Sequence, residues 1–396
     1  MRAIFGITLL LAVATVNAAE FSSRGNFTSE VRLFTEKPVD PRQHGDNLSL
    51  SAEPDWYWSW NKEQDSLVVR PFGRLDQGDP DRTHADLREL LWLHLGNQYE
   101  VRTGIGQVFW GVTESRHLVD IINQTDQVEN IDGEDKLGQP MIWLSLPRDT
   151  GIFDFFVLPG FRQRTFPGVH GRPRTQPRVQ TSQATYDNPQ GDDHIDLAAR
   201  WSQYIGPIDI GISYFDGILR EPRLIPGTDS KGLPVLVPHY DTGSQLGISL
   251  QGVFGAWLYK LEAVYRNYNE IDNYTAAVAG FEYTVSSFLG SRYDLGILAE
   301  YLYEDFGDLP VGPFEDDLFV GFRLALNDAD SSELLAGVIA DVDDGSRVFN
   351  IEASRRIGDS LKLGVEARLF SSIPQTDPLY GQRHDDYIEV TLGYYF

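Results

Sequence analysis

Apolar and polar residues alternate with a period of two along much of this 396-residue chain, which marks β-strands with two chemically different faces. Trp257, Tyr259, Leu261, Ala263 and Tyr265 share one face of a predicted strand, and Lys260, Glu262 and Arg266 occupy the other. Tyr293, Leu295, Ile297, Ala299, Tyr301 and Tyr303 stand opposite Asp294, Gly296 and Glu300. Leu361, Leu363, Val365, Ala367 and Leu369 stand opposite Lys362, Gly364, Glu366 and Arg368. Ile208, Ile210, Ile212 and Tyr214 alternate with Asp209, Gly211 and Ser213. At the end of the chain Ile388, Val390, Leu392, Tyr394 and Phe396 alternate with Glu389, Thr391 and Gly393, so the last residue is an aromatic on an apolar face.

Two architectures use such strands. A soluble sandwich turns the apolar face inward. A transmembrane barrel turns it outward to lipid, lines an aqueous lumen with the other face, and averages its hydropathy to that of a soluble protein. The connections favour the barrel, because short and long ones alternate along the chain. Short turns are predicted at Gly96-Asn97, Pro147–Asp149, Gly206-Pro207, Gly255-Ala256, Asn327–Asp330 and Gly358–Ser360. Longer segments run near 37–49, 113–138, 161–193, 218–243, 304–315 and 372–384. The pattern predicts an all-β, transmembrane antiparallel up-and-down β-barrel of about eighteen strands, the first near Asn26–Glu36. Sixteen is the alternative, since 26–36 and 139–146 are weakly patterned. In this reading Lys260, Glu262, Arg266, Glu300, Glu366 and Arg368 line the lumen, while Trp257, Tyr259, Leu261, Tyr265, Tyr394 and Phe396 face lipid. His94 is also expected to face the lumen.

The ends of the chain add a destination. Arg2, the apolar stretch Ala3–Val16 and the small-residue site Val16-Asn17-Ala18 read as a secretory signal peptide, residues 1–18, leaving 19–396 as a single barrel domain. No run of 18 apolar residues exists to form a spanning helix, and the absence of cysteine excludes a lipoprotein anchor and a disulfide scaffold. The C-terminal pattern resembles the recognition strand of bacterial outer-membrane proteins. That resemblance implies a Gram-negative outer membrane, with Phe396, Tyr394 and Leu392 presented to the barrel-assembly machinery.

The formal charge is −25, with 33 basic and 58 acidic residues. Much of the acid lies in predicted loops, as Asp126, Glu129, Asp132, Glu134 and Asp135 in one and Glu304, Asp305, Asp308, Glu315 and Asp316 in another. Such loops suit a solvated surface that meets lipopolysaccharide through divalent cations. Asp341-Val342-Asp343-Asp344-Gly345 lacks the spacing of a calcium loop and reads as a hairpin turn.

Against this background Phe155–Tyr186 contains no acid and carries Arg162, Arg164, Arg172, Arg174 and Arg178. Arginine forks bind carboxylate or phosphate. The segment could therefore line the pore and select anions, or lie on the outer rim and hold lipopolysaccharide phosphates. The segment from Trp110-Gly111 to Gly138 is the longest departure after a clean early strand, with a predicted short helix over Glu114–Asn123. Folded inward, its Glu114, Asp120, Asp126 and Glu129 would face the arginines across a constriction and set up a transverse field. Folded outward, it would be a lid.

Gly106-Gln107, Trp110-Gly111, Asp120-Ile121-Ile122-Asn123 and Asp126 resemble a block in a poorly characterised family of proteobacterial outer-membrane barrels, with Gln124 where those carry proline. The resemblance implies a barrel and transport, and supplies no substrate.

An enzyme barrel would need a nucleophile beside a histidine base near the rim. The histidines at 44, 84, 94, 117, 170, 194, 239 and 384 are scattered, and none lies in a His-x-Ser arrangement. The expected function is a porin for passive diffusion of small solutes, anionic ones among them, without enzyme activity, cofactor, metal or nucleic-acid partner. A phospholipase- or protease-like barrel and a structural or adhesion barrel are the alternatives. Expected partners are the bilayer, lipopolysaccharide, small solutes and two further copies in a homotrimer.

Overall fold

The computed structural model describes residues 19–269, 271–305 and 314–396; the predicted signal segment 1–18 and Asp308 lie outside them. The chain starts as a meander of β1 (Glu20–Phe34), β2 (Asn47–Trp60), β3 (Asp65–Asp76), β4 (His84–Leu95) and β5 (Glu100–Gly106). After a long inward excursion, β6 (Gln139–Arg148) and β7 (Gly151–Pro159) resume it. The short β8 (Thr185–Tyr186) precedes β9 (Ile195–Ile205) and β10 (Ile208–Ile218). A hairpin of β11 (Arg223–Thr228) and β12 (Pro234–Tyr240) follows, and β12 takes β8 as a parallel neighbour in a small accessory sheet. The meander continues through β13 (Thr242–Phe254), β14 (Trp257–Tyr268), β15 (Tyr274–Val285) and β16 (Asp294–Asp305). It ends with β17 (Asp316–Ala325), β18 (Glu333–Asp341), β19 (Arg347–Ile357), β20 (Leu361–Ser371) and β21 (Tyr387–Tyr395).

All strands except β8, β11 and β12 form one 18-stranded antiparallel sheet, and β21 pairs back onto β1. Closure leaves no edge, the condition for placing strands in hydrocarbon where unpaired N–H and C=O groups find no water. At the seam Asn26 stands opposite Tyr395, the amides and carbonyls of Gly25 and Phe396 exchange bonds of 3.1 Å, and Phe396 stacks on Phe27 at 5.4 Å. The first strand begins at Glu20, ahead of the Asn26 expected from the pattern. Its start overhangs the C-terminus and pairs only with β2, where Phe21 packs on Trp58 at 5.1 Å.

The outer face is apolar and exposed, with Ile212, Tyr214, Leu246, Tyr259, Tyr265 and Tyr394 all on it. A continuous exposed band of this kind would be intolerable in water and is what a bilayer requires. Short turns gather at one end, and the long segments 107–138, 160–194, 219–241 and 372–386 at the other. The acidic turn after β18 closes locally, as Asp341 Oδ1 accepts from the amides of Asp343 and Asp344 at 2.7 and 2.6 Å.

Parity fails at one place. A register shift between Arg70 and Pro71 sets Glu89 opposite Arg70 and Leu87 opposite Pro71. Inward positions on β4 therefore change from even to odd past Arg88, and Leu91 packs into the interior core. His94 then falls on the outer face with Trp92, stacked at 5.9 Å, and bonds Asp65 at 2.8 Å, so its expected lumenal position is corrected.

Ile212 sits midway along the outer face of β10. Ile212→Arg should lower unfolding stability in vesicles by about 2–4 kcal/mol, the depth-dependent cost of a cation facing lipid. Unchanged stability would place this face in water.

Candidate functional site

A barrel of eighteen strands is too wide for its wall side chains to fill. Residues 107–138 enter it. Asn123 clamps the two stems of this segment: its Oδ1 accepts from Val108 N at 2.8 Å, and its Nδ2 donates to the carbonyls of Gly106 and Leu137, also at 2.8 Å. Trp110 packs edge-on against Phe156, and the His117 ring lies so close to Gly111 that a Cβ there would meet it at 2.5 Å.

The segment then crosses to the far wall. Glu262 of β14 accepts from Val112 N (2.6 Å), Thr113 N (3.0 Å), Thr113 Oγ1 (2.7 Å) and Val119 N (3.0 Å). Glu300 of β16 accepts from Glu114 N (2.8 Å), Ser115 N (2.8 Å) and Ser115 Oγ (2.6 Å). The predicted helix over Glu114–Asn123 is absent for this reason. The amides that would open it are bound by wall carboxylates, and the chain runs extended enough to bury Leu118, Val119, Ile121 and Ile122 against Val264, Val278, Leu298 and Leu302.

On the return leg Asp126 binds Arg88 at 2.6 Å, His84 at 3.2 Å and Thr165 at 2.7 Å. Glu129 binds Arg74 at 2.6 Å, and Asp132 binds Arg368 at 2.8 Å. Asp126 and Glu129 are thus anchors to β3 and β4 and stand apart from the open space. Glu114 lies between Lys260 (3.4 Å) and Arg323 (2.8 Å), and Asp120 is buried beside Lys136 at 3.2 Å. Glu366 accepts from Asn130 at 3.1 Å. Lys260, Glu262, Glu300, Glu366 and Arg368 therefore all reach the inserted segment, while Arg266 binds Glu221 of the 219–241 loop at 2.6 Å.

The arginine-rich segment is dispersed rather than gathered on one face. Arg172, fully buried, binds Asp385 at 2.6 Å, and Arg174 binds Asp40 at 2.9 Å. Arg178 reaches Asp229 at 3.5 Å, and Arg162 pairs with Asp86 at 2.8 Å while donating to Gly138 O. These arginines tie loops to one another and to β4. Arg164 alone of the five lines the open cavity. It donates to Gln124 and to Arg220 O, both at 3.3 Å, and no carboxylate among the described residues comes within ion-pair distance.

That cavity measures about 330 Å³ and lies between the inserted segment and the wall of β17–β20. Its lining carries Arg116, Lys136, Arg164, Arg220, Arg266 and Arg368 and as many carboxylates, Glu114, Asp120, Asp132, Glu134, Glu221 and Glu352; Arg116, Arg164, Arg220 and Arg266 cluster around Glu221. Its apolar lining on the wall is Phe319, Leu335, Ile339, Val348 and Phe370, with Leu118, Ile121 and Ile131 of the inserted segment across from them. The sequence reading missed this apolar wall. The signal was there, since Leu334, Leu335, Ala336, Val338, Ile339 and Ala340 make β18 apolar on both faces, which a water-filled lumen does not ask for.

Charge is shifted accordingly. Burial opposes ionisation of Asp126, yet His84, Arg88 and Thr165 hold its carboxyl at about 2. Burial lowers the Arg164 pKa; Glu221 and Tyr240 oppose this, while Arg116 and Arg266 add to it. Burial also disfavours the His117 cation, but Glu134 and Glu262, at 4.0 and 3.9 Å, raise its pKa to about 9.

Two groups have the spacing of metal ligands, His84/Asp126/Glu129 and Asp187/His239/Asp241. In both, carboxylates already hold arginine, Arg88 and Arg74 in the first and Arg223 in the second, which describes ion-pair networks. Thr185, His239 and Asp187 lie in a hydrogen-bonded line of 2.8 and 2.8 Å, reminiscent of a nucleophile–base–acid relay. They join β8 to β12 in the accessory sheet, and none of them lines the cavity.

Glu262→Gln removes a charge from bonds worth roughly 1.5–3 kcal/mol each, so hydrogen exchange at Val112, Thr113 and Val119 should accelerate about 10- to 100-fold. Unchanged exchange would mean that the segment is held elsewhere. The His117 ring should titrate near 9 by NMR in micelles, and nearer its ordinary value in Glu134→Gln. Because that pKa is raised on folding, His117 contributes fully below about 6.5 and loses its hold as pH rises through about 9. A midpoint below 6.5 would contradict the pairing.

No family model matches the sequence, and no curated protein matches it. Among solved structures the chain is similar to a double mutant of Rhodopseudomonas blastica porin, at a TM-score of 0.47 and 12% identity. A triple mutant of the same porin gives 0.46 and 12%, and a structure described as "Asymmetric conductivity of engineered proteins" gives 0.47 and 11%. Each alignment covers 95% of this chain and 100% of the other.

Proposed function

We propose that this protein is a passive-diffusion channel of a Gram-negative outer membrane, made with a cleaved leader at residues 1–18 and admitting small solutes with a preference for anions. A single observation carries the reading: a transmembrane barrel with a cavity of about 330 Å³ beside its inserted segment, lined by Arg164 with no carboxylate at ion-pair distance. A cation held in a low-dielectric site without a counter-charge raises the local concentration of passing anions. Asp132, Glu134 and Glu352 line the same cavity around Arg368, on the side away from Arg164, so a dipolar solute would be oriented as it crosses. Phe396, stacked on the closing seam, is the residue we assign to recognition by the assembly machinery, and the exposed acidic loops to lipopolysaccharide through divalent cations. Association into trimers would use the outer face. The scatter of histidines and the position of the Thr185–His239–Asp187 line in the accessory sheet support a non-enzymatic role.

In planar bilayers under a salt gradient, Arg164→Gln should move the reversal potential toward cations with little change in conductance. Arg172→Gln should leave selectivity alone and lower stability by about 3–5 kcal/mol, because it strands the buried Asp385. Selectivity that follows Arg172 and ignores Arg164 would contradict the assignment.

A further inference from the structure

The apolar wall is the feature that a general diffusion channel leaves unexplained. Inward positions of a water-filled barrel are polar because apolar side chains there contact water at a cost of about 25 cal/mol per Å². Yet β17, β18, β19 and β20, four consecutive strands, turn Phe319, Leu335 with Ile339, Val348 and Phe370 toward the cavity. Leu335 and Ile339 pack at the margin of the interior core and are only half-buried, so the inserted segment covers them incompletely. The wall is also shaped. The Phe319 ring lies over Gly337, where an added Cβ would come within 2.4 Å of it, so a side chain at 337 would force the ring off the strand and into the passage.

Within the cluster of Arg116, Arg164, Arg220 and Arg266, ion pairs are short of negative charge by one. Arg116 binds Glu304 and Glu221 (3.2 Å), and Arg266 binds the same Glu221 at 2.6 Å. Arg220 is matched by Asp196 at 2.7 Å. Arg116 and Arg266 thus take up Glu221 and Glu304, and Arg164 is left without an ion pair. A guanidinium of this kind offers a planar fork for a carboxylate.

We infer that the cavity is a binding station for small monocarboxylates with an apolar body. The carboxylate takes Arg164, and the hydrocarbon part lies on Phe319, Leu335, Ile339 and Phe370. The inference rests on the channel reading and narrows its solute. A single negative charge satisfies the deficit, and a second would meet Glu221. A hydrophilic anion would leave the wall wet, and an apolar amine would be repelled by Arg164. The volume, about 330 Å³, lies at the lower end of ligand pockets, which suits a body of a few carbons over a large lipid.

The test uses hexanoate, acetate and hexylammonium on the purified full-length barrel. Calorimetry in detergent should show hexanoate binding at least about tenfold more tightly than acetate, from two or more buried methylenes, and hexylammonium not at all. In planar bilayers hexanoate, and not acetate at equal concentration, should interrupt the chloride current. Arg164→Gln should remove hexanoate binding. The double substitution Leu335→Ser, Ile339→Ser should bring hexanoate down to the level of acetate while the variant keeps heat-modifiable mobility on gels and β-sheet circular dichroism, which shows that it is folded. Equal binding of hexanoate and acetate, or an unchanged ratio in the serine variant, overturns the inference. A barrel that binds hexanoate but passes no chloride would overturn the channel reading and leave the station standing.

Discussion

Carboxylates are costly to bury, and the wall of this barrel buries several, Glu262 and Glu300 among them, facing its own lumen. Glu262 and Glu300 are tolerated because each is saturated by backbone amides and a hydroxyl of the inserted segment, an arrangement in which donors and charge satisfy one another. Their effect extends through the molecule. They fix the far end of residues 107–138 on β14 and β16, which lets Asn123 fix the near end at β5 and lets Asp126 and Glu129 reach β4 and β3 on the way back. With the segment spanning the lumen, a cavity is left between it and β17–β20. The position of that cavity therefore follows from where two glutamates sit on the wall.

Much of the architecture could be read from the chain because membrane barrels obey a strict period. Leu361 to Leu369 alternate without interruption, and Trp257 to Arg266 do so except at Leu258 and Val264, so their strands and faces emerge from residue type alone. Glu262 and Glu300 were identifiable as lumenal for the same reason. What they bind was not, since their donors arrive from a segment 143 to 186 positions away in sequence. His94 was misplaced because a single irregularity at Arg70/Pro71 inverts every later assignment on β4 and leaves no local mark in composition.

The interior chemistry was less legible for a physical reason. Clustering in sequence brings charges together only where the chain is straight, and 161–179 is a loop. Arg172 and Arg174 turn toward Asp385 and Asp40 in other loops, so that two of five arginines stiffen the mouth. The apolar residues that give the cavity its second character, Phe319, Leu335, Ile339, Val348 and Phe370, come from four strands, each contributing one or two. Only the unbroken apolar run of β18 announced them.

Passage along β17–β20 is the central claim, and the lack of native cysteine makes it directly measurable. A single cysteine at Leu335, on the apolar wall, should react with a sulfonate-bearing thiol reagent applied during single-channel recording, and the current should fall in one step. A cysteine at Ser249, on the inner face of β13, should have no such effect when labelled. Full current after quantitative labelling at Leu335, with loss on labelling Ser249, would show that ions take the other side of the inserted segment.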